Sequence, residues 1–168
     1  MKKIYIDGDT VVKVDMKLDL AWREKLMKIM EYMEIPAFQK FIYRGYVTKF
    51  INGKDLQEDF PFLHRHDEVR SYPLNPIQYD SVIKIFKDIV YAGIKTGYIL
   101  ADFTKRNIIV TDDKAYLIDY DIILEELNED YIRIYQNILN YLKIDYQFDG
   151  DLVKLYECLN RLPPRSSV

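Results

Sequence analysis

A single cysteine, Cys158, stands in the 168 residues, so no internal disulfide is available and the fold has to rest on packing. Long apolar runs are missing too. None approaches the roughly 20 residues needed to cross a bilayer, and the opening MKKIYIDGD carries no apolar signal region. A cytoplasmic protein without membrane contact is therefore expected. Positive charge is not in excess: 24 Lys and Arg against 27 Asp and Glu leave −3, which argues against a broad nucleic-acid-binding face. No internal repeat is visible. What the chain does have is 49% hydrophobic residues, ample for a packed core and too many for global disorder. Its length suits one domain, or one domain of two small lobes.

Chemistry-bearing residues gather between Tyr98 and Asp121. Asp102 and Asn107 have the spacing D-x-x-x-x-N, and two apolar runs follow, split by the polar turn Thr111-Asp112-Asp113-Lys114. That pattern predicts a β-hairpin. Pairing Ile108, Ile109 and Val110 against Tyr116, Leu117 and Ile118 sets Asn107 and Asp119 at neighbouring strand ends. One oxygen from each can then grip a single divalent cation.

Upstream, Asp7-Gly8-Asp9 between Lys3–Ile6 and Thr10–Val14 signals another hairpin, with Lys13 among apolar neighbours. Taken alone, Lys13 is a solvated strand lysine. Trp22, Leu26, Ile29, Met30 and Met33 recur at helical spacing over Asp19–Glu34, with Asp19 as N-cap and Pro36 beyond the end. Phe38 to Ile51 reads as two strands around Arg44-Gly45, followed by an Asn52-Gly53 turn. His64 and His66 lack a third ligand cluster and read as surface loop rather than metal site. Asn75-Pro76 opens a helix with a buried face of Ile77, Val82, Ile85, Phe86, Ile89 and Val90, ending at Gly93. Two more helices follow, one capped by Asn128 and one lined by Leu152, Leu155, Leu159 and Leu162.

With a strand lysine far upstream, the Tyr98–Asp121 stretch resembles the catalytic and metal-binding loops of the protein-kinase-like superfamily, D-x-x-x-x-N, strand, turn, strand, D-F-G. Here the closing motif is Asp119-Tyr120-Asp121, and Leu100 stands where histidine is usual. In style it is similar to atypical kinases of the RIO type and to the small kinase of tRNA threonylcarbamoyl modification. The resemblance implies a reduced α+β fold: a small antiparallel β-sheet lobe with one helix over 1–51, a truncated, mainly helical lobe over 52–162, and a flexible tail over 163–168.

It also implies site roles. Lys13, anchored by Glu24 with Glu31 and Glu34 as alternatives, would position the phosphates of ATP. Thr48, Lys49, Phe50 and Ile51 would form the adenine-binding hinge, through backbone groups and with Thr48 near the base. Asp102 would orient or deprotonate the attacking hydroxyl, Lys105 or Arg106 would offset charge on the transferred group, and Asn107 and Asp119 would hold Mg2+. The implied activity is phosphoryl transfer from Mg-ATP to a serine or threonine hydroxyl of a protein substrate. Only Gly8 precedes the lysine strand, so the glycine-rich lid is shortened or absent, and there is no A-P-E sequence. Those departures favour an alternative, a pseudokinase or nucleotide-binding interaction module working through a protein partner. A small-molecule phosphotransferase of the aminoglycoside type would need a larger helical insertion than this chain can hold.

Overall fold

Gly8 turns the chain at φ 61°, a left-handed conformation that costs glycine nothing, and so closes the hairpin of β1 (Lys3–Asp7) and β2 (Thr10–Val14). In the computed structural model, which describes residues 1–57 and 73–166, the chain continues through α1 (Leu20–Ile29), β3 (Phe38–Ile42), β4 (Gly45–Lys49), β5 (Lys54–Asp55), α2 (Pro76–Thr96), β6 (Ile99–Leu100), β7 (Ile108–Val110), β8 (Ala115–Leu117), β9 (Ile123–Leu124), α3 (Glu129–Tyr141) and α4 (Leu152–Asn160). The architecture is α+β, with small antiparallel sheets and four helices among the described residues. β1–β4 form an antiparallel sheet in the order β1-β2-β4-β3.

α1 buries Trp22, Leu26 and Ile29, and it meets this sheet through Trp22, whose indole stacks on Tyr46 at 5.5 Å and meets Phe41 edge-on at 5.7 Å. Asp19 caps it by accepting from the Trp22 N–H, as its position predicts. The helix ends at Ile29 rather than Glu34. Beyond it, tight turns such as Tyr32 N–H to Ile29 C=O carry the chain so that Met33 and Ile35 still reach the core.

α2 opens on a complete capping box between Asn75 and Gln78 with Pro76 in the first turn. It does not stop at Gly93. It runs to Thr96 and ends on Gly97 at φ 77°, whereas a Cβ on Gly93 would sit 3.1 Å from Leu152 and 3.3 Å from Ile99. Gly93 is there to let α4 and β6 approach. Asn75→Ala should cost about 1 kcal/mol and lower the thermal midpoint by about 2–4 °C, read by circular dichroism; no shift would mean that Pro76 alone sets the helix start.

β7 and β8 pair one residue away from the expected register, Ile108 with Leu117 and Val110 with Ala115. The turn explains the shift: the Thr111 N–H donates to Lys114 C=O at 2.8 Å, closing the loop around the two aspartates. Ala115 and Leu117 are buried as a result, while Tyr116 and Ile118 are only partly covered. The core is continuous from Leu26 and Tyr46 through Tyr120 to Phe86, Phe103 and Tyr135, and Tyr135 of α3 donates its hydroxyl to Leu100 C=O at 2.7 Å. Of the leucines expected to line the last helix, Leu155 and Leu159 are buried, Leu152 is only half-buried, and Leu162 lies half-buried beyond the helix end.

In the stretch expected to be a tail, the Arg165 and Ser166 N–H groups donate to the Asp80 carboxylate of α2. His64 and His66 lie outside the described residues. No helix among the described residues is long and apolar enough to cross a membrane.

Candidate functional site

Asp102 leaves the core at the end of β6, following Ala101, which is fully buried. Its backbone and side chain are both held by one amide: Asn107 Nδ2 donates to Asp102 C=O at 2.9 Å and to its carboxylate at 3.1 Å. A single 3-10 turn, Lys105–Asn107, makes that reach possible. Asn107 C=O then accepts from the Ile118 N–H at 3.0 Å, so the loop of Asp102 and the strand leading to Asp119 are tied at one point.

The segment Asp119-Tyr120-Asp121 is pinned from α1 and from the sheet. Trp22 Nε1 donates to Tyr120 C=O at 2.9 Å, the Tyr46 hydroxyl donates to the Asp121 carboxylate at 2.7 Å, and the Tyr120 N–H donates to that hydroxyl at 3.2 Å. The Tyr120 ring is buried against Tyr46 at 5.1 Å. Lys2, just before β1, sets its ammonium between the two acids, 2.9 Å from Asp119 and 2.7 Å from Asp121. Lys13 is 5% exposed and donates to Ile118 C=O, with its Nζ 5.4 Å from the Tyr46 ring centroid.

These groups perturb one another. Burial raises the Asp102 carboxyl above its ordinary range, and the negative charge of Asp119 adds to it against the Asn107 hydrogen bond. Burial would push Asp119 up as well, but the Lys2 hydrogen bond and the Lys13 charge outweigh it and hold that carboxyl low. Burial lowers Lys13 despite the attraction of Asp119. Lys2 is raised, because its bonds to Asp121 and Asp119 together exceed the burial that opposes them. Two carboxyls with their affinities pushed apart are the arrangement acid–base chemistry uses: Asp102 holds a proton more readily, and Asp119 stays ionised.

Lys13, Asp102, Asn107 and Asp119 thus share one cluster. The expected pair of Lys13 with Glu24 is not formed. Glu24 is exposed, two residues from the buried Trp22 and so on the far side of α1, and Glu31 and Glu34 are exposed as well. The hinge expectation is altered too: the Lys49 N–H donates to Ala37 C=O and the Phe50 N–H to Asp9 C=O, so both donors are engaged within the protein. Thr48 is buried in the sheet, and Ile51, beyond the end of β4, is half-buried. Lys105 lies 5.6 Å over the ring of Tyr141, and Arg106 is exposed on its turn.

Sequence reading missed Lys2, Asp121 and Tyr46. The register would have found two of them. Ile4 pairs with Lys13 and Lys13 with Tyr46, so alternation brings Lys2, Ile4, Lys13 and Tyr46 onto one face.

Among the described residues no group of three or more His, Cys, Asp and Glu is arranged to hold a metal ion. Asp119 and Asp121 nevertheless converge on one cationic nitrogen, and the amide nitrogen of Asn107 is spent on Asp102, so its oxygen takes no part in that contact. Such a partial oxygen set fits Mg2+, which keeps several waters and takes phosphate oxygens.

Lys2→Met should leave Asp119 without its nearest cation and raise its carboxyl affinity for protons. A lowered native carboxyl contributes stability above its unfolded value, about 3.9, that is lost as pH falls. The acid-unfolding midpoint of the variant should therefore move to higher pH, and an unmoved midpoint would show that Lys13 alone holds Asp119 low.

No protein-family model matches the sequence, and no curated protein matches it. Among solved structures, a 2.2 Å crystal structure of WbdD is similar at a TM-score of 0.43 and 14% identity, over 96% of this chain and 44% of that one. This chain therefore spans less than half the length of that protein.

Proposed function

We propose that this chain is an ATP-dependent phosphotransferase, a minimal atypical protein kinase that transfers a phosphoryl group from Mg-ATP to a hydroxyl. One observation carries the reading: Lys13, far upstream in sequence, joins Asp102 with Asn107 and Asp119 in one electrostatic cluster with the residue types and order that phosphoryl transfer uses. Asp102, raised and held by Asn107, takes the hydroxyl proton. Lys13, seated above Ile118 beside Asp119, offers its ammonium to the phosphates. Asp119, Asp121 and the Asn107 oxygen would hold Mg2+, which when bound neutralises charge on the phosphates. Lys2 has to withdraw from the two acids for that. The remaining partners, a protein substrate above all, are expected from the chemistry alone.

The test is incubation with labelled ATP and magnesium, following protein phosphorylation and ATP hydrolysis, with Asp119→Asn as control. Transfer above the control supports the reading, and nucleotide binding without turnover overturns it. That second outcome would favour a nucleotide-binding interaction module, for which the Lys2 ammonium between the two acids speaks.

A further inference from the structure

Among the described residues β1 has one strand neighbour, β2, and all of its residues are exposed, including Ile4 at 55%, Tyr5 at 53% and Ile6 at 67%. The opposite edge of the same sheet is protected: β3 has a register break between Phe38 and Lys40, with Lys40 and Gln39 exposed upon it. Bulges and lysines of this kind discourage edge pairing. β1 carries its charges only at its ends, Lys3 and Asp7, around the apolar centre Ile4-Tyr5-Ile6.

We propose that a second copy of this chain pairs its β1 antiparallel to the first, about a two-fold axis at Tyr5. The strand is complementary to itself in that register. Lys3 of each copy lies opposite Asp7 of the other, Ile4 lies opposite Ile6, and Tyr5 faces Tyr5. Charges and apolar groups match on both sides of the axis, and opposite charges across strands stabilise where like charges destabilise.

The backbone agrees. β1 and β2 are joined by the two residues Gly8 and Asp9, so the closing pair Asp7–Thr10 exchanges its hydrogen bonds. Lys3, Tyr5 and Asp7 then turn their N–H and C=O groups toward β2, and Ile4 and Ile6 present theirs at the free edge. In the two-fold register those are the residues that meet as hydrogen-bonded pairs, with Tyr5 at the unbonded position between them. An isologous contact closes on itself, so it gives a dimer and not a fibre. The two four-stranded sheets become continuous, and Lys2 remains outside the paired strands.

The test is sedimentation velocity over a concentration series with the full chain, using Lys3→Asp and Asp7→Lys. Wild-type chain should show a monomer–dimer equilibrium, and each variant should weaken it at least about tenfold, because like charges then meet twice. An equimolar mixture of the two variants should recover the dimer, since every opposed pair is again of opposite sign; that recovery also shows that both variants fold. Ile6→Pro, which removes an outward N–H without touching the β2 ladder, should abolish association. A wild-type chain that stays monomeric at about 1 mM, variants that dimerise like wild type, a mixture that stays monomeric, or an edge that captures only unrelated strand peptides would each overturn the proposal.

Discussion

Asp102→Asn should lower phosphoryl transfer by about 10²- to 10⁴-fold, the range a positioned general base supplies, while the protein becomes no less stable. The second half follows from the sign of the shift. Asp102 is raised in the folded state by burial and by Asp119, so its ionisation opposes folding at neutral pH, and that cost sets in as pH rises past the unfolded carboxyl value of about 3.9. A neutral amide removes it. The backbone contact from Asn107 to Asp102 C=O survives, and the new side-chain oxygen can still accept from the same Nδ2. Lost activity with a retained or raised melting temperature therefore separates loss of a base from loss of structure. In the wild-type chain the acid limb of kcat/KM should lie above the ordinary aspartate range. A variant within threefold of wild type would remove Asp102 from the chemistry and leave it a loop-capping role.

The contrast between what the chain announces locally and what it does not is visible at single residues. Asp7-Gly8 announced its hairpin, and Asp19, Asn75 and Asn128 announced their helix starts, because a turn or a cap is decided by a few neighbouring residues. Asp102, Asn107 and Asp119 could be picked out because spacing around a short hairpin nearly determines their placement. Partners across space were harder. Helical periodicity identifies the buried face of α1 but is silent on what an exposed glutamate meets, so Glu24 is paired with Lys13 only through the family resemblance, while the lysine meets Ile118 C=O and the field of Asp119 instead. Register puts Lys2 on the face of Lys13, but its pairing with Asp119 and Asp121 depends on how β1 docks over the loop, a tertiary fact that no window of sequence contains. Gly93 shows the same limit: a glycine near the end of a helix reads as a stop, and only the approach of Leu152 and Ile99 shows it to be a packing requirement.

Gly45→Ala should be far more damaging than an ordinary glycine substitution. Gly45 pairs with Val14 on one side and Ile42 on the other, and a Cβ there would lie 2.0 Å from Lys13 C=O, 3.0 Å from the Lys13 carbonyl carbon and 3.1 Å from Val14 Cα. All three are backbone atoms, so no side chain can swing aside, and β2 has to part from β4. Overpacking of a rigid site costs about 1–3 kcal/mol and sometimes more; with the strand ladder disturbed as well, about 3 kcal/mol or more is expected, roughly a 6–12 °C drop in a protein of this size. Gly8→Ala supplies the comparison. Its φ of 61° disfavours alanine, yet nothing lies within 4 Å of the added carbon, so the cost should stay near about 1 kcal/mol. The two variants together separate backbone strain from collision. Because the displaced strand carries Lys13, Gly45→Ala should also weaken nucleotide binding below its own melting temperature, whereas Gly8→Ala should leave that affinity within about twofold. Equal melting shifts in the two variants would mean that β2 and β4 can part at little cost and that the position of Lys13 does not depend on this contact.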